Sequence, residues 1–383
     1  MAVHHDNTTP ASRPLQALVV LLFLVMLVFP FLGPRLGINE LSSSEKRTLA
    51  ALPAWPADFK SLISWPQTFE NYYNDNFGLR TNYIIGHNYL KAKLLGISPS
   101  KKVIFGRNGW MFLDASVHSW RAGTLFTSFE MELWKLKIEA KRDWLAAKKI
   151  TYLFVVAPNK STIYSEYLPQ AQTRIHVQSR CEQLKAYLKT HSDVPFLDLA
   201  EPLIAAKPQK LYYLTNTHWN DTGCYVAYRA IMEALVALGV AEPPLPAEAF
   251  ARGQRRVAGF DLAIMLNLRP WYFEESIFLD QKNQCAKPAP IAQIWERDWQ
   301  AYALQCLPKR DNLIIVGDSF VNATKLFNFM ADHFRRTIFL HQKYYPMTAA
   351  NMETLVAAEH PKIFIEEVVE RSLETESFMV RPF

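Results

Sequence analysis

Residues 311–320 constrain the fold more than any other stretch. Leu313, Ile314, Ile315 and Val316 form an apolar, largely β-branched run, the pattern of a buried parallel strand. Gly317-Asp318-Ser319 interrupts the run, and Leu326, Phe327, Phe329 and Met330 then recur at the spacing of one helix face. This order predicts a strand, a tight turn and a helix start, with a serine at the junction. A serine so placed lies at the carboxyl edge of a sheet, where free backbone N–H groups can stabilise an oxyanion. The competing role is purely structural: a turn in which Asp318 or Ser319 only caps the helix.

The rest of the chain fits the same architecture. Strand-like runs at 150–156, 195–199, 337–340 and 362–366 alternate with helix-like segments at 129–148, 177–189, 221–238 and 352–358. Alternation of this kind predicts an α/β fold, a three-layer α/β/α sandwich around a mainly parallel sheet. Asp221 is a candidate cap for the third of those helices. Residues 103–113 read as a hairpin around Asn108-Gly109. Residues 69–79 read as an aromatic-rich helix ending at Gly78. Residues 241–310, Pro-rich with scattered aromatics, read as an irregular insertion.

No charged residue occurs from Pro14 to Pro34. The expected organisation is a tail at 1–13, a transmembrane anchor at 14–34, a linker and helical lead-in at 35–98, and one large domain at 99–383. A cleaved signal peptide would have a shorter apolar core and a small-x-small site, which is missing after Phe31. Arg13 precedes the apolar run, while Arg35, Lys46 and Arg47 follow it. Those charges favour a cytoplasmic body, but a long folded domain crosses regardless of them, so orientation stays open on charge alone. The net charge of +6 is spread without a dense basic block, which argues against nucleic acid as a partner. The four cysteines contain no CxxC pair, so neither a zinc site nor a cofactor is expected. Cys285 and Cys306 are open to two readings, a disulfide in an oxidising compartment or free buried thiols.

The second informative stretch is Asn216-Thr217-His218-Trp219, in a polar loop that enters a helix. A lone histidine is usually incidental. Paired with Ser319 it becomes a base for removing the hydroxyl proton. Asn216 then stands where a residue would orient the imidazole.

These residues carry a resemblance. Gly317-Asp318-Ser319, preceded by His218-Trp219, resembles the SGNH hydrolase superfamily. The order is more closely that of the AlgJ/AlgX group of alginate O-acetylation proteins and their relatives in exopolysaccharide and cellulose acetylation. Further matches are residues 103–113, Pro158-Asn159-Lys160 with Tyr164 and Leu168-Pro169, Gly259-Phe260-Asp261-Leu262, and Glu370-Arg371. The resemblance implies an SGNH-like domain in the periplasm, anchored in the inner membrane. It implies O-acetylation of a secreted polysaccharide, with acetyl delivered by a membrane-bound O-acyltransferase partner. By position Ser319 would be the nucleophile and His218 the base, with Gly317 and Asp318 forming the turn. The Ser319 backbone N–H would hold the oxyanion.

One departure stands out. The group has Asp where this chain has Asn216. Asn can orient an imidazole but brings no charge, and in a serine protease the comparable Asp→Asn change lowers turnover by about 10⁴-fold. Three outcomes are open: a weak enzyme, another carboxylate such as Asp221 or Asp261 near His218, or a degenerate site kept for binding glycan or scaffolding a secretion complex. Trp219, Trp271 and Tyr272 are candidates for a sugar platform, against a packing role that Trp110 fits better. Glu366-Glu367 and Glu370-Arg371 read as a solvated helix face or ion pairs rather than a metal site, and Arg371 is a candidate for an acidic sugar.

Overall fold

The computed structural model describes residues 13–32, 50–76, 80–291, 301–345 and 347–374, excepting the side chains of residues 13, 15, 26–32, 76 and 374. The chain divides into two compact units, Met1–Pro99 and Ser100–Phe383.

The first unit is helical. Its first helix, Arg13–Leu32, coincides with most of the expected anchor. Among the described residues, no helix is long and apolar enough to cross a membrane. Phe59–Asn76 starts well before the expected aromatic helix and contains Pro66. Its start is fixed by Asp58, whose Oδ1 accepts from the Ser61 N–H (2.7 Å). The expected stop at Gly78 lies outside the described residues. Arg80–Tyr89 follows and runs into a π-helical turn, Leu90–Leu94.

The second unit is built on strands. β1 (Val103–Phe105) and β2 (Met111–Leu113) pair antiparallel, as the hairpin reading expects. Asn108 and Gly109 take positive φ (55° and 78°) inside a wider turn than two residues. Among the described residues, the central sheet has seven strands. In chain order they are β3 (Thr151–Ala157), β4 (Phe196–Asp198), β7 (Lys287–Ala289), β8 (Ala301–Gln305), β9 (Asn312–Gly317), β10 (Arg336–His341) and β11 (Ile363–Val369). Between β4 and β7 come β5 (Phe250–Ala258) and β6 (Phe273–Gln281), which form a separate antiparallel pair. Across the sheet the order is β4-β3-β11-β9-β10-β8-β7. The pairings from β4 to β10 are parallel, and β8 and β7 add antiparallel at one edge.

Alternate side chains of the parallel strands feed two cores. Leu153, Val155, Leu313, Ile315 and Ile365 pack with Cys224, Tyr228 and Leu235 of helix Asp221–Ala237 and with Phe327 and Met330 of helix Leu326–Ala331. Phe154, Val156, Ile314, Val316 and Phe364 pack with Trp134 and Ile138 of helix Ser128–Ala147, Leu184 of helix Arg180–His191, and Met352 of helix Ala349–Glu359. Period-two alternation thus places one helical layer on each face of the sheet, and the three-layer reading holds.

Four expectations need correction. Asp221 does not cap its helix. Asn220 does, its Oδ1 accepting from the Gly223 N–H (3.0 Å). The single helix expected after Ser319 is two short ones, Ser319–Asn322 and Leu326–Ala331. Thr324 divides them. Its hydroxyl donates to Phe320 O (2.7 Å) and accepts from the Leu326 N–H (3.3 Å), replacing a helical turn with a local one. Residues 241–310 are not irregular throughout, since β5 and β6 are nine residues each. Glu366 and Glu367 lie inside β11, 0% and 1% exposed, rather than on a solvated helix. Glu366 receives the Lys141 ammonium (2.7 Å) and the Tyr152 hydroxyl (2.5 Å), so its ion-pair reading stands. Of the two readings for Cys285 and Cys306, the disulfide is the one formed, while Cys181 and Cys224 are free and buried.

Candidate active site

Two loops meet at the carboxyl rim of the sheet. The first leaves β9. Gly317 leaves room there, since a Cβ would sit 2.8 Å from Glu367 Oε2 and 3.0 Å from Val321 Cγ2 and would push the glutamate aside. Asp318 then organises the turn. Its Oδ1 accepts from the Phe320 N–H and its Oδ2 from the Val369 N–H, each at 2.9 Å. Its own N–H donates to Glu367 Oε2 (2.9 Å). Burial, with the Asp318 carboxylate beside it, pushes Glu367 well above the usual carboxylate range, which favours its protonated form. Asp318 is therefore a cap and a brace, and Ser319 is left as the first residue of a short helix with its hydroxyl at the rim.

The second loop carries His218. It has no regular structure, yet its backbone groups are closely held. The isolated bridge Tyr212↔Trp219 closes its base. Lys160, 2% exposed, directs its Nζ at the carbonyls of Tyr213 (3.1 Å), Leu214 (2.9 Å) and Asn216 (2.7 Å). Burial pushes this lysine down to about 7, against the pull of Asp261 and Glu274. Glu274 of β6 accepts the N–H groups of Leu214 (2.6 Å) and Thr215 (3.0 Å) and the Thr215 hydroxyl (2.6 Å). Asp261 Oδ1 accepts the Thr217 N–H (3.0 Å). With its polar groups satisfied in this way, an irregular loop can be as fixed as a helix.

The loops bring the reacting groups together. Ser319 Oγ lies 2.8 Å from His218 Nε2, across 101 residues of sequence. On the far side of the ring, His218 Nδ1 lies 2.9 Å from Asn216 Oδ1 and 3.2 Å from Thr217 Oγ1. Asn216 Oδ1 also accepts the His218 backbone N–H (3.1 Å). That second bond needs an acceptor and so fixes which amide atom faces the ring. Burial holds the imidazole below its ordinary value, so at neutral pH it is unprotonated and able to accept a proton. Phe320 packs on the ring, with centroids 4.9 Å apart. Of the two carboxylates weighed from the sequence, Asp261 approaches, its Oδ2 3.9 Å from Nδ1. Asp221 does not. It accepts the Leu279 N–H (2.9 Å) and pairs with Lys325 (2.8 Å).

The aromatic candidates separate. Trp219 is 1% exposed and stands edge-on to Phe320 at 4.8 Å, so it is a core residue with no free face for a sugar. Trp271 is 40% exposed and Tyr272 half-buried. They enter β6 beside Gly259, whose N–H donates to Tyr272 O (2.7 Å), two positions before Asp261. Trp110 is buried between Tyr164 and Tyr167. The Arg371 guanidinium lies over the Phe320 ring (5.6 Å) and donates to Asn159 Oδ1 (3.1 Å). Lys160, Glu274 and Thr217 were not singled out for roles by sequence reasoning. Lys160 and Thr217 left only a trace there, within Pro158-Asn159-Lys160 and Asn216-Thr217-His218-Trp219.

A neutral imidazole hydrogen-bonded to a serine hydroxyl, with an acceptor behind the ring, can deprotonate that serine for attack on an acyl carbon. Residues 103–370 match the family described as SGNH hydrolase-like domain, acetyltransferase AlgX. A curated relative from Pseudomonas putida, named probable alginate O-acetylase AlgJ, is 27% identical over 134 residues, 35% of this chain and 34% of the relative. The match thus spans about a third of that protein's length. Among solved structures, Bacillus cereus PatB1 aligns with TM-score 0.54 at 15% identity, covering 72% of this chain and 98% of that one. PatB1 with a sulfonyl adduct aligns at TM-score 0.53 and 14% identity, covering 73% of this chain and all of that one. These two structures share the fold.

Proposed function

Because the chain belongs to the AlgX family of SGNH hydrolase-like acetyltransferase domains, we propose that it transfers acetyl to polysaccharide hydroxyls through an ester on Ser319. The observation that carries this reading is the Ser319 Oγ to His218 Nε2 distance of 2.8 Å with Asn216 behind the ring at 2.9 Å. In the first step Ser319 Oγ attacks the acetyl carbonyl of a donor ester, and its proton moves to His218 Nε2. The Ser319 N–H faces the developing oxyanion. The bond to the donor oxygen breaks, and His218 returns the proton to that oxygen. In the second step a sugar hydroxyl attacks the acetyl-serine, His218 takes its proton, and Oγ leaves and is reprotonated. Water in place of the sugar gives hydrolysis, so acceptor binding and water exclusion decide the product.

We propose further that residues 14–34 anchor the chain in an inner membrane with the body in the periplasm, where a membrane-bound O-acyltransferase supplies acetyl. The uncharged run from Pro14 to Pro34 supports the anchor. The Cys285–Cys306 disulfide suits an oxidising compartment. The test is transfer by the full-length protein in detergent from an acetyl ester to added oligosaccharide. Acetylated sugar is expected with wild type and not with Ser319→Ala. Equal turnover by the two would remove the nucleophile assignment, and hydrolysis without transfer would make the protein an esterase.

A further inference from the structure

We infer that Asp261 supplies to His218, through the Thr217 hydroxyl, the negative charge that Asn216 lacks. The inference deepens the acyl-transfer reading and takes its catalytic meaning from it.

The geometry is specific. Thr217 Oγ1 donates its one proton to Asp261 Oδ2. The oxygen is then left as an acceptor facing His218 Nδ1 at 3.2 Å. Asp261 Oδ2 itself lies 3.9 Å from Nδ1. Asp261 is held in place by the Thr217 N–H (3.0 Å) and the Leu262 N–H (2.8 Å), both on Oδ1. Nδ1 therefore meets a neutral amide oxygen and a hydroxyl polarised by a carboxylate, with no donor among these three partners. Such a surround keeps the ring proton on Nδ1 and leaves Nε2 free to accept from Ser319.

When Ser319 attacks, its proton passes to Nε2 and the ring becomes an imidazolium. A carboxylate behind the ring favours that cation, whereas Asn216 alone only aims it. Four charged groups bear on the ring: Asp261 and Asp318 favour its protonated form, and Arg371 and Lys160 oppose it. Asp318 is committed to the Phe320 and Val369 N–H groups. Among these, Asp261 is the carboxylate joined to the Nδ1 side of the ring. It acts through Thr217 and His218, so it is a positioning residue. Its side chain is 31% exposed, so solvent weakens the coupling, which we set at about tenfold.

The test has two arms on the full-length protein. The first follows the His218 imidazole by NMR as pH is varied, and needs no turnover. Asp261→Asn is expected to lower the His218 titration midpoint by about one pH unit, because the imidazolium loses its counter-charge. Thr217→Val, which keeps the carboxylate but removes the bridge, should lower it by less. In the Asn216→Asp background, Asp261→Asn should lose at least half its effect, since a nearer charge is present. An unchanged midpoint in both single variants overturns the inference. Should Asp261→Asn fail to fold, Thr217→Val decides, an unchanged midpoint overturning the inference. The second arm measures the rate at which a small aryl sulfonyl fluoride labels Ser319, with fluoride leaving as the Oγ–S bond forms. Labelling about tenfold slower in Asp261→Asn supports the inference. No labelling of the wild type would overturn the nucleophile reading while the NMR arm still judged Asp261.

Discussion

Lys160→Met is the perturbation that the histidine loop would feel most directly. The methionine fills the volume of the lysine stem but offers no N–H to the carbonyls of Tyr213, Leu214 and Asn216, now 2.7–3.1 Å from Nζ. Two effects oppose each other. Three charge-assisted hydrogen bonds contribute about 5–9 kcal/mol in favour of the lysine. Against them, the fall of its pKa from 10.5 to about 7 is on the order of 5 kcal/mol of penalty for a buried cation. The difference, about 0–4 kcal/mol, is enlarged by the carbonyls stranded in the variant, each about 1–3 kcal/mol unless water reaches it. We therefore expect a loss of at least about 3 kcal/mol, read from urea unfolding of the second unit within the full-length protein. Activity should suffer more than stability, because a shift of about 1 Å in a catalytic group costs about 100-fold. The assay is turnover of an acetyl ester under conditions where circular dichroism shows the variant folded. A loss below about 1 kcal/mol together with turnover within a fewfold of wild type would refute the idea that Lys160 holds the loop.

Three further expectations concern stability. Burial pushes Glu370 up from 4.5 to about 7, so the folded state keeps a proton that the unfolded chain releases in that window. Stability should therefore fall by about 3 kcal/mol as pH rises from 4.5 to 7, and Glu370→Gln should flatten the slope in unfolding curves taken across that range. Lys141→Met leaves the fully buried Glu366, among the described residues, with the Tyr152 hydroxyl alone and should cost about 3–5 kcal/mol by urea titration. Replacing Cys285 and Cys306 together by alanine opens a loop of sequence separation 21 and should cost about 3 kcal/mol, seen as a lower Tm that reductant no longer changes.

The parts of the fold legible in the sequence are those where burial writes a pattern. Runs such as Leu313–Val316 in β9 and Leu153–Val156 in β3 are apolar because both faces of the sheet are covered, and periodicity finds them. The strands β5 and β6 leave no such signature. Arg252, Arg255 and Arg256 of β5 are exposed and the buried positions of β6 include Glu274 and Ser276, so the pair reads as polar loop. Glu366 and Glu367 mislead for the opposite reason: a charged pair suggests solvent unless its partners, Lys141 more than two hundred residues away and the Asp318 N–H, are known. The Ser319–His218 pair itself was legible as two motifs in order. The carboxylate behind the ring was not settled, since Asp221 and Asp261 differ only in where the chain returns after helix Asp221–Ala237 and β5. Trp219 stayed open between platform and packing because a tryptophan beside a polar-loop histidine is ambiguous in one dimension. Its burial against Phe320 decides it.

Central to all of this is an acyl ester on one serine. The direct measurement is to mix the full-length protein with an acetyl ester in the absence of acceptor, quench rapidly, and read the mass of the peptide containing Ser319. Acetyl is expected on Ser319 in wild type, absent in Ser319→Ala and slow to form in His218→Ala. Turnover that continues with Ser319 never acetylated, and survives Ser319→Ala, would contradict it.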